Sequence, residues 1–481
     1  MVRQSAAWVL SWAVALSACA GGQSAAPLAP SAPPTATVAP ASTAQLDDLE
    51  HRSFQYFWDS ANPTNGLVPD RYPTPSFSSV AAVGFALTAY TVGAERGWVP
   101  RSDAAARTLT TLNFLLSLPQ GDAATATAGF HGYFYHFLDM STGLRYRTNE
   151  LSSIDTALLM AGVLNAEQYY GGSDATETQI RSVADALYRR VEWDFLADSS
   201  GLIAMGWKPD TGAYPNRWIG YNEAMLLYVL AIGSPTHPVP GSAWAGWTSG
   251  YDRTWGTAYG QTFLGFPPLF GHQYSQLWID FNGIQDAYMK AKNSDYFKNS
   301  RAATYAQQAY AVQNTLGYVG YDAHVFGVTA CDGPGSFTVT VNGVSRTFIG
   351  YAGRGMGGIS TYDDGTLAPT GVVSSLPFAP EIVLPAINAL LTRYGTDLYG
   401  TYGFLDAFNP TVPDGAPVQS GRVIPGKGWV DVDYLGIDEG PIVGMIENYR
   451  TGLVWSQMRA NPYIKAGLKG AGFTGGWVDA P

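Results

Sequence analysis

The sequence predicts an all-α protein, an (α/α)6 barrel carrying small β-hairpin insertions. Three observations carry that expectation. Apolar residues recur at helical spacing in segment after segment, roughly ten to twelve in all. The loops between these segments are long and rich in Gly, Pro, Trp and Tyr. No obvious linker interrupts the about 435 residues that follow the N-terminal leader, a length that helical barrels reach as one unit. In such a barrel an inner ring of helices turns its N-terminal ends toward one face, where helix dipoles and acidic side chains gather. Closure of the ring is an analogy, because periodicity shows helices and not how they close.

In chain order, the first segment reads as targeting rather than fold. Arg3, the apolar run Ala6–Leu16 and the box Leu16-Ser17-Ala18-Cys19 match a lipoprotein signal peptide over residues 1–18, with Cys19 as the lipid attachment point. An ordinary secretory signal that happens to end near a cysteine is the alternative. The run is too short to stay in a bilayer as a spanning helix. Residues 19–45, dominated by Ala, Pro, Ser and Thr, read as a disordered tether, and residues 46–481 as a single domain. Ala20 follows the cysteine, so no acidic retention signal is present; the expected place is the periplasm or cell envelope, lipid-anchored to the outer membrane.

The helical expectations are Leu46–Trp58, Ala81–Ala94, Ser102–Ser117, Ser152–Tyr170, Glu177–Val191, Tyr221–Ile232, Tyr274–Ala291, Asn299–Thr315, Pro380–Tyr394 and Pro441–Gln457. Two stretches read as β instead. Phe130–Arg147 alternates aromatic and polar residues, and Ser336–Ile349 places Asn-Gly between two β-rich runs, a strong hairpin signal.

Composition narrows the function classes. With 46% hydrophobic and 13% aromatic residues, the chain can bury a large core. The formal net charge of −11 argues against nucleic acid and anionic lipid as ligands, leaving membrane contact to the N-terminal lipid alone. Once Cys19 is lipidated, Cys331 has no partner for a disulfide. The histidines show no H-E-x-x-H or comparable ligand spacing, so neither a metal nor a cofactor is expected. Phosphate-loop and G-x-S-x-G patterns are absent, and Gly353-Arg354-Gly355-Met356-Gly357-Gly358 reads as loop. A monomer is expected.

What remains is a set of carboxylates at helix starts, flanked by aromatics. Glu150 and Asp155 bracket Ser152 at the start of one apolar helix. Ser152 with Asp155 also fits a helix cap, which needs no chemistry. Arg217, Trp218, Tyr221, Asn222 and Glu223 lead into a second helix, and His272, Gln276 and Asp280 mark a third. Asp332 and Asp364 sit in Gly-rich loops, Glu381 follows Pro380, and Asp438–Glu439 precede Gly-Pro. Each alone reads as an N-cap or a solvated loop acid. Their repetition beside Trp, Tyr and His suits sugar, whose hydroxyls meet carboxylates and whose C–H faces meet rings. Cleaving a glycosidic bond then needs one protonated and one ionised acid.

Several runs go further. Gly132–Asp139, Glu150–Gly162, Gly220–Glu223, Gly271–Asp280, Gly327–Asp332, Asp364–Pro369, Pro377–Glu381, Tyr402–Asn409 and Gly436–Trp455 resemble the bacterial glucoamylase-like proteins, which include the endo-β-1,2-glucanases. The resemblance runs from about Phe54 to Trp455, and Ser-x-Ile-Asp-Thr-Ala-Leu-Leu and Ile-Glu-Asn-Tyr-Arg-Thr-Gly-Leu are its most specific parts. It implies an (α/α)6 barrel, a β-1,2-glucan or glucooligosaccharide substrate, and inverting hydrolysis without a cofactor. Glu439 departs from the family pattern, which carries Gln beside the Asp.

Glu223 is the expected general acid, because Tyr221, Trp218 and the apolar residues Leu226, Leu227 and Leu230 can desolvate it against the pull of the helix dipole. Asp155 and Asp438 are equal candidates for the ionised partner, with Glu150 and Glu439 behind them. Arg217, Trp218, His272 and Gln276 are expected to shape sugar subsites, joined by His136, Asp139, Tyr221, Asn222, Asp280, Asp332, Asp364 and Glu381. A polysaccharide lyase on the same fold and a non-catalytic glycan-binding lipoprotein are the alternatives. The acidic balance disfavours the lyase, which needs a uronate partner.

Overall fold

The computed structural model describes residues 38–356 and 362–480, which form one compact body. The leader, Cys19 and residues 19–37 of the expected tether lie outside the described residues. Structure starts with a capping box: Ser42 accepts from the Gln45 N–H while the Gln45 side chain accepts from the Ser42 N–H. That cap starts α1 (Thr43–Ser60), ahead of the expected Leu46. The following helices are α2 (Val80–Glu95), α3 (Arg101–Ser117), α4 (Ser153–Tyr169), α5 (Ala175–Arg190), α6 (Met225–Gly233) and α7 (Ser242–Thr248). Then come α8 (Tyr274–Trp278), α9 (Ala287–Ala291), α10 (Tyr296–Gln313), α11 (Pro369–Val373) and α12 (Pro380–Leu398). The last are α13 (Gly436–Arg450), α14 (Leu453–Ala460), α15 (Pro462–Gly470) and α16 (Gly476–Asp479).

The helices divide into two layers, and composition explains which is which. α2 is buried from Val80 through Gly93, and α4, α6, α8, α11 and α13 are likewise apolar or small around most of their circumference. α1, α5 and α12 keep a polar outer face. The buried helices form a closed ring in chain order. α2 packs on α4, α4 on α6, α8 and α11 each on α13, and α13 back on α2. The remaining joints are hydrogen bonds: Leu226 N–H to Ser275 Oγ at 2.9 Å, and Gln273 Nε2 to Ser375 Oγ at 2.8 Å beyond α11. This is the (α/α)6 barrel.

Two glycines let inner helices touch backbone to backbone. A Cβ on Gly162 of α4 would stand 2.0 Å from the Gly84 carbonyl of α2, and one on Gly84 would stand 2.4 Å from the Leu158 carbonyl. Short strands steer the chain into the ring. Ser78–Ser79, Leu151–Ser152 and Tyr434–Leu435 each run directly into α2, α4 and α13, and each is paired with another loop strand. The hairpin Phe337–Val341/Val344–Phe348 turns on Asn342 and Gly343, both at positive φ (50° and 80°). In Phe130–Arg147 the expected β character appears as two-residue strands such as Tyr133–Phe134 and Phe137–Leu138. Among the described residues no helix is long and apolar enough to cross a membrane.

Several helix boundaries differ from expectation by a few residues, and three differ in ways that shape the site. Tyr274–Ala291 is broken between α8 and α9, where Asp280 caps its own turn by accepting from the Asn282 N–H at 3.0 Å. The segment expected from Tyr221 starts at Met225, because Asn222 Oδ1 accepts from the Ala224 N–H at 3.0 Å and makes a turn. The helix expected to begin at Pro441 begins instead at Gly436 and ends at Arg450, with Gly452 at φ 69° before α14. Pro441 therefore lies inside the helix and gives no N–H to the Ile437 carbonyl. The Tyr274 hydroxyl donates to that carbonyl instead, at 2.9 Å.

Candidate active site

The N-terminal ends of α4, α6 and α13 bring their acids to one face of the ring. At α4, Ser152 is the N-cap, accepting from the Asp155 N–H at 3.2 Å, and its hydroxyl donates to Asp155 Oδ2. The capping interpretation of Ser152 and Asp155 is therefore real, yet Asp155 has a second partner. His136 puts Nε2 3.4 Å from Asp155 Oδ1 and Nδ1 2.9 Å from Glu150 Oε1. Burial alone would lower the His136 pKa, but the two carboxylates outweigh it and raise it to about 9. The imidazolium so held keeps Glu150 below the usual carboxylate range despite that residue's own burial. The imidazole is 30% exposed, enough to meet a ligand.

Glu223 occupies the turn before α6, not its first helical turn. Its Oε2 is buried without a donor. Burial, with a smaller contribution from the Asp155 charge, raises its pKa to about 7 against the opposing pull of a backbone hydrogen bond. The Ser275 hydroxyl fixes the turn by donating to the Glu223 carbonyl at 2.9 Å. Tyr274, pinned to Ile437 by the gap that Pro441 leaves, has a phenol that feels the charges of Asp438, Glu223 and Asp155 together. It stands among the three acids.

At α13 the floor of this face is an acidic centre built from loops. Asp438 is 5% exposed, and its carboxyl abuts that of Asp406. Asp406 Oδ2 accepts from the Asp332 N–H at 2.7 Å. Arg71 is the cation within it, with Nη1 2.5 Å from Asp332 Oδ2, Nε 3.2 Å from Asp70 and Nη1 3.9 Å from Asp433. Burial and the neighbouring carboxyls push the Asp406 and Asp431 carboxyls well above the carboxylate range. Tyr351, 47% exposed, lies in the field of Asp438, Asp406, Asp332 and Asp70 and offers an open ring beside them. One carboxylate oxygen each of Asp332, Asp406 and Asp431 lies within 4.8 Å of the other two; among the described residues this is the arrangement that suits a cation.

The ring thus gathers Glu150, Asp155, His136, Glu223, Asp438 and Asp332. Other expected residues lie elsewhere. Asp280 follows the C-terminal end of α8, paired with Arg459 on the opposite face of the barrel. Gln276 donates through Nε2 to the Tyr296 carbonyl at 2.8 Å and to Ser300, tying α8 to α10. His272 is buried with both nitrogens engaged, Nδ1 with the Tyr221 hydroxyl and Nε2 with the Phe266 carbonyl, each at 3.0 Å. Its pKa falls to about 4 through burial, so it stays neutral. Tyr221 is occupied by that contact, and Asn222 by its own turn.

Arg217 donates to the Leu196 carbonyl at 2.8 Å, and Trp218 Nε1 to Ser153 Oγ at 2.9 Å, supporting α4 from behind. Asp139 closes a local turn, accepting first from the Ser141 hydroxyl and then from the Thr142 N–H and hydroxyl and the Ser141 N–H, which lower its pKa to about 2. Asp364 forms a fully buried pair with Arg354 at 2.8 Å, inside the stretch read from sequence as a glycine loop. Glu381 pairs with Arg301 and Tyr305 on the exposed side of α12. Glu439 is 1% exposed and turns its carboxyl toward Ser53 of α1, into the wall between the layers.

A family model named Glycoamylase, described as "Putative glucoamylase", matches residues 215–462, just over half of the chain. A solved structure described as a "putative glucoamylase" from Bacteroides uniformis is 31% identical, with a TM-score of 0.77, covering 90% of this chain and 98% of that one. The chain belongs to the glycoamylase family. Among its glycoamylase relatives is the endo-β-1,2-glucanase of Chitinophaga pinensis, solved with sophorotriose and glucose. It is 28% identical at a TM-score of 0.76, over 90% of this chain and 99% of that one. The exo β-1,2-glucooligosaccharide sophorohydrolase (non-reducing end) of Parabacteroides distasonis is 30% identical over 468 residues. That match takes in 90% of this chain and 59% of the relative, so the chain spans well under two thirds of that protein's length.

Within this glycoamylase chain, sequence reasoning missed Asp70, Arg71, Asp406, Asp431, Asp433, Tyr274 and Tyr351. Most lie in loops without period or motif, and Tyr274 matters only through its bond to Ile437. One signal was present for Asp431 and Asp433: both sit just before the strand that runs into α13, in the sequence Trp-Val-Asp-Val-Asp-Tyr.

Proposed function

We propose that this glycoamylase-family chain hydrolyses β-1,2-linked glucooligosaccharides or β-1,2-glucan by an inverting mechanism. Glu223 is the general acid, and one observation carries the assignment. Its carboxyl is buried with an oxygen lacking any donor, so it remains protonated near neutral pH, on the same face as two further acids. Asp438 is the general base. Both Asp155 oxygens are engaged, one by Ser152 and one by His136, whereas Asp438 meets the neighbouring Asp406 carboxyl and keeps its Oδ2 without a donor. A base that must take a proton from water needs that free lone pair. His136 and Asp155 then meet sugar hydroxyls, and the Tyr351 ring meets a sugar face.

The substrate comes from the relatives, whose names specify β-1,2 linkages. The test is product analysis on linear β-1,2-glucan and its oligosaccharides, with other β-glucans alongside, and NMR of the first-formed anomer. Release of α-anomeric sugar from β-1,2-linked substrate is the expected result. Binding without turnover, an ultraviolet-absorbing unsaturated product, or retained anomeric configuration each contradicts the proposal. Export and anchoring through Cys19 are part of the same reading, supported by the Leu16–Cys19 box.

A further inference from the structure

Asp332, Asp406 and Asp431 reach one point from three separate loops, and their side chains are 8%, 3% and 1% exposed as residues. Most of their other oxygens have ordinary partners. Asp406 Oδ2 accepts from the Asp332 N–H at 2.7 Å, Asp431 Oδ1 from the Val432 N–H at 2.7 Å, and Asp332 Oδ2 pairs with Arg71 at 2.5 Å. Asp406 Oδ1 and Asp431 Oδ2 have none and are sealed from solvent. A further carboxyl, from outside the trio, touches one of its members. Asp438 abuts Asp406 from the start of α13, is 5% exposed, and its buried Oδ2 has no donor either.

Buried carboxylate oxygens without donors are costly to keep, so something positive belongs among them. Arg71 serves Asp332 but is already shared with Asp70 and Asp433. Three carboxylates gathered from the protein alone suit calcium, which takes several protein oxygens in a flexible geometry; magnesium demands a near-ideal octahedron, keeps several waters and is held through one or two carboxylates.

We propose that Asp332, Asp406 and Asp431 form a calcium site behind the catalytic face, beneath the start of α13. The ion clamps the loops around residues 332, 406 and 431 to one another and holds the first turn of α13 in place. This inference does not depend on the substrate or mechanism proposed above.

Elemental analysis of the purified chain, followed by EGTA treatment and calorimetric titration with CaCl2 and separately MgCl2, tests it. About one calcium per chain is expected, with a rise in Tm on adding calcium and a much smaller one with magnesium. Asp431→Asn, checked for native circular dichroism, should weaken calcium binding by about tenfold or more, within the range seen when metal-site groups are altered. Asp406→Asn is the second variant should the first fail to fold. Asp103→Asn, an exposed acid on α3, is the control and should bind as the wild type does. Two results overturn the site: no calcium binding or Tm response in the EGTA-treated chain, as expected if the carboxyls share protons instead, or binding that Asp431→Asn and Asp406→Asn leave intact. Turnover of β-1,2-glucan by the same preparations is read separately, so loss of the calcium site and loss of the hydrolase reading are distinguishable.

Discussion

Glu223 shows how much a few contacts decide at the scale of one residue. The sequence places it near a helix start, where the dipole favours ionisation, beside aromatics that oppose it. The structure resolves that contest: Glu223 sits in the turn before α6, and burial wins, raising its pKa to about 7. The prediction is that kcat/KM for a β-1,2-glucooligosaccharide declines along an alkaline limb near pH 7, as the acid loses its proton. Glu223→Gln should fold normally and lose about 10²-fold or more in kcat, the lower end of general-acid contributions. Near-normal turnover by a folded Gln variant would place the acid elsewhere. His272 and Gln276 teach the opposite lesson. Beside a helix start each has the polar atoms a sugar needs, but every relevant contact in the structure is with the protein's own backbone and hydroxyls. Residue type suggested ligands; burial made them struts.

At the scale of elements, strong local signals were legible. The period in α2, α4, α5 and α10 and the Asn-Gly hairpin appear near where the sequence puts them, because propensity and turn chemistry act over a few residues. The break between α8 and α9 and the early start of α13 were not legible. Both depend on partners from distant elements, as the Tyr274 bond to the carbonyl that Pro441 leaves open makes plain. Packing between elements yields two predictions. Gly162→Ala should destabilise by on the order of 1–3 kcal/mol, since its Cβ would meet the Gly84 carbonyl at 2.0 Å and neither inner helix can retreat. An unchanged denaturant midpoint would mean that α2 and α4 pack less closely than described.

The second prediction concerns the contact between α1 and the C-terminal end of α13. Glu50 of α1 lies beside Glu447 of α13, with Arg450 at 2.6 Å from Glu50 and Arg96 at 2.6 Å from Glu447. Burial first, and Glu447 next, raise the Glu50 pKa from 4.5 to about 8. The folded chain therefore holds a proton that the unfolded chain releases between those values, so this contribution favours folding below pH 4.5 and is lost as pH rises toward about 8. Glu50→Gln cannot titrate. The Tm of the wild type should fall more steeply than that of Glu50→Gln between pH 5 and 8; parallel profiles would disprove the shift.

The whole molecule is a closed ring, and closure does what no segment does alone. It brings Ser152, Glu223 and Asp438, at the starts of α4, α6 and α13, to one face, and sends Asp280 to the other. The prediction at this scale concerns where the barrel resides. With the box Leu16–Cys19 as motivation, Cys19→Ala should move the protein from the membrane fraction to the soluble fraction while turnover by the barrel persists. Unchanged membrane fractionation of that variant would remove the lipoprotein reading. The sequence by itself determined the helical class, the positions of most long helices, the hairpin, and the habit of placing acids where apolar helices begin, because all of these are written in local period and local turn chemistry. Only the tertiary structure decided which acids work together. Asp70, Arg71, Asp406, Asp431 and Asp433 are loop residues whose meaning is a shared location, and that location is set by the closing of the ring rather than by anything within a few residues of each.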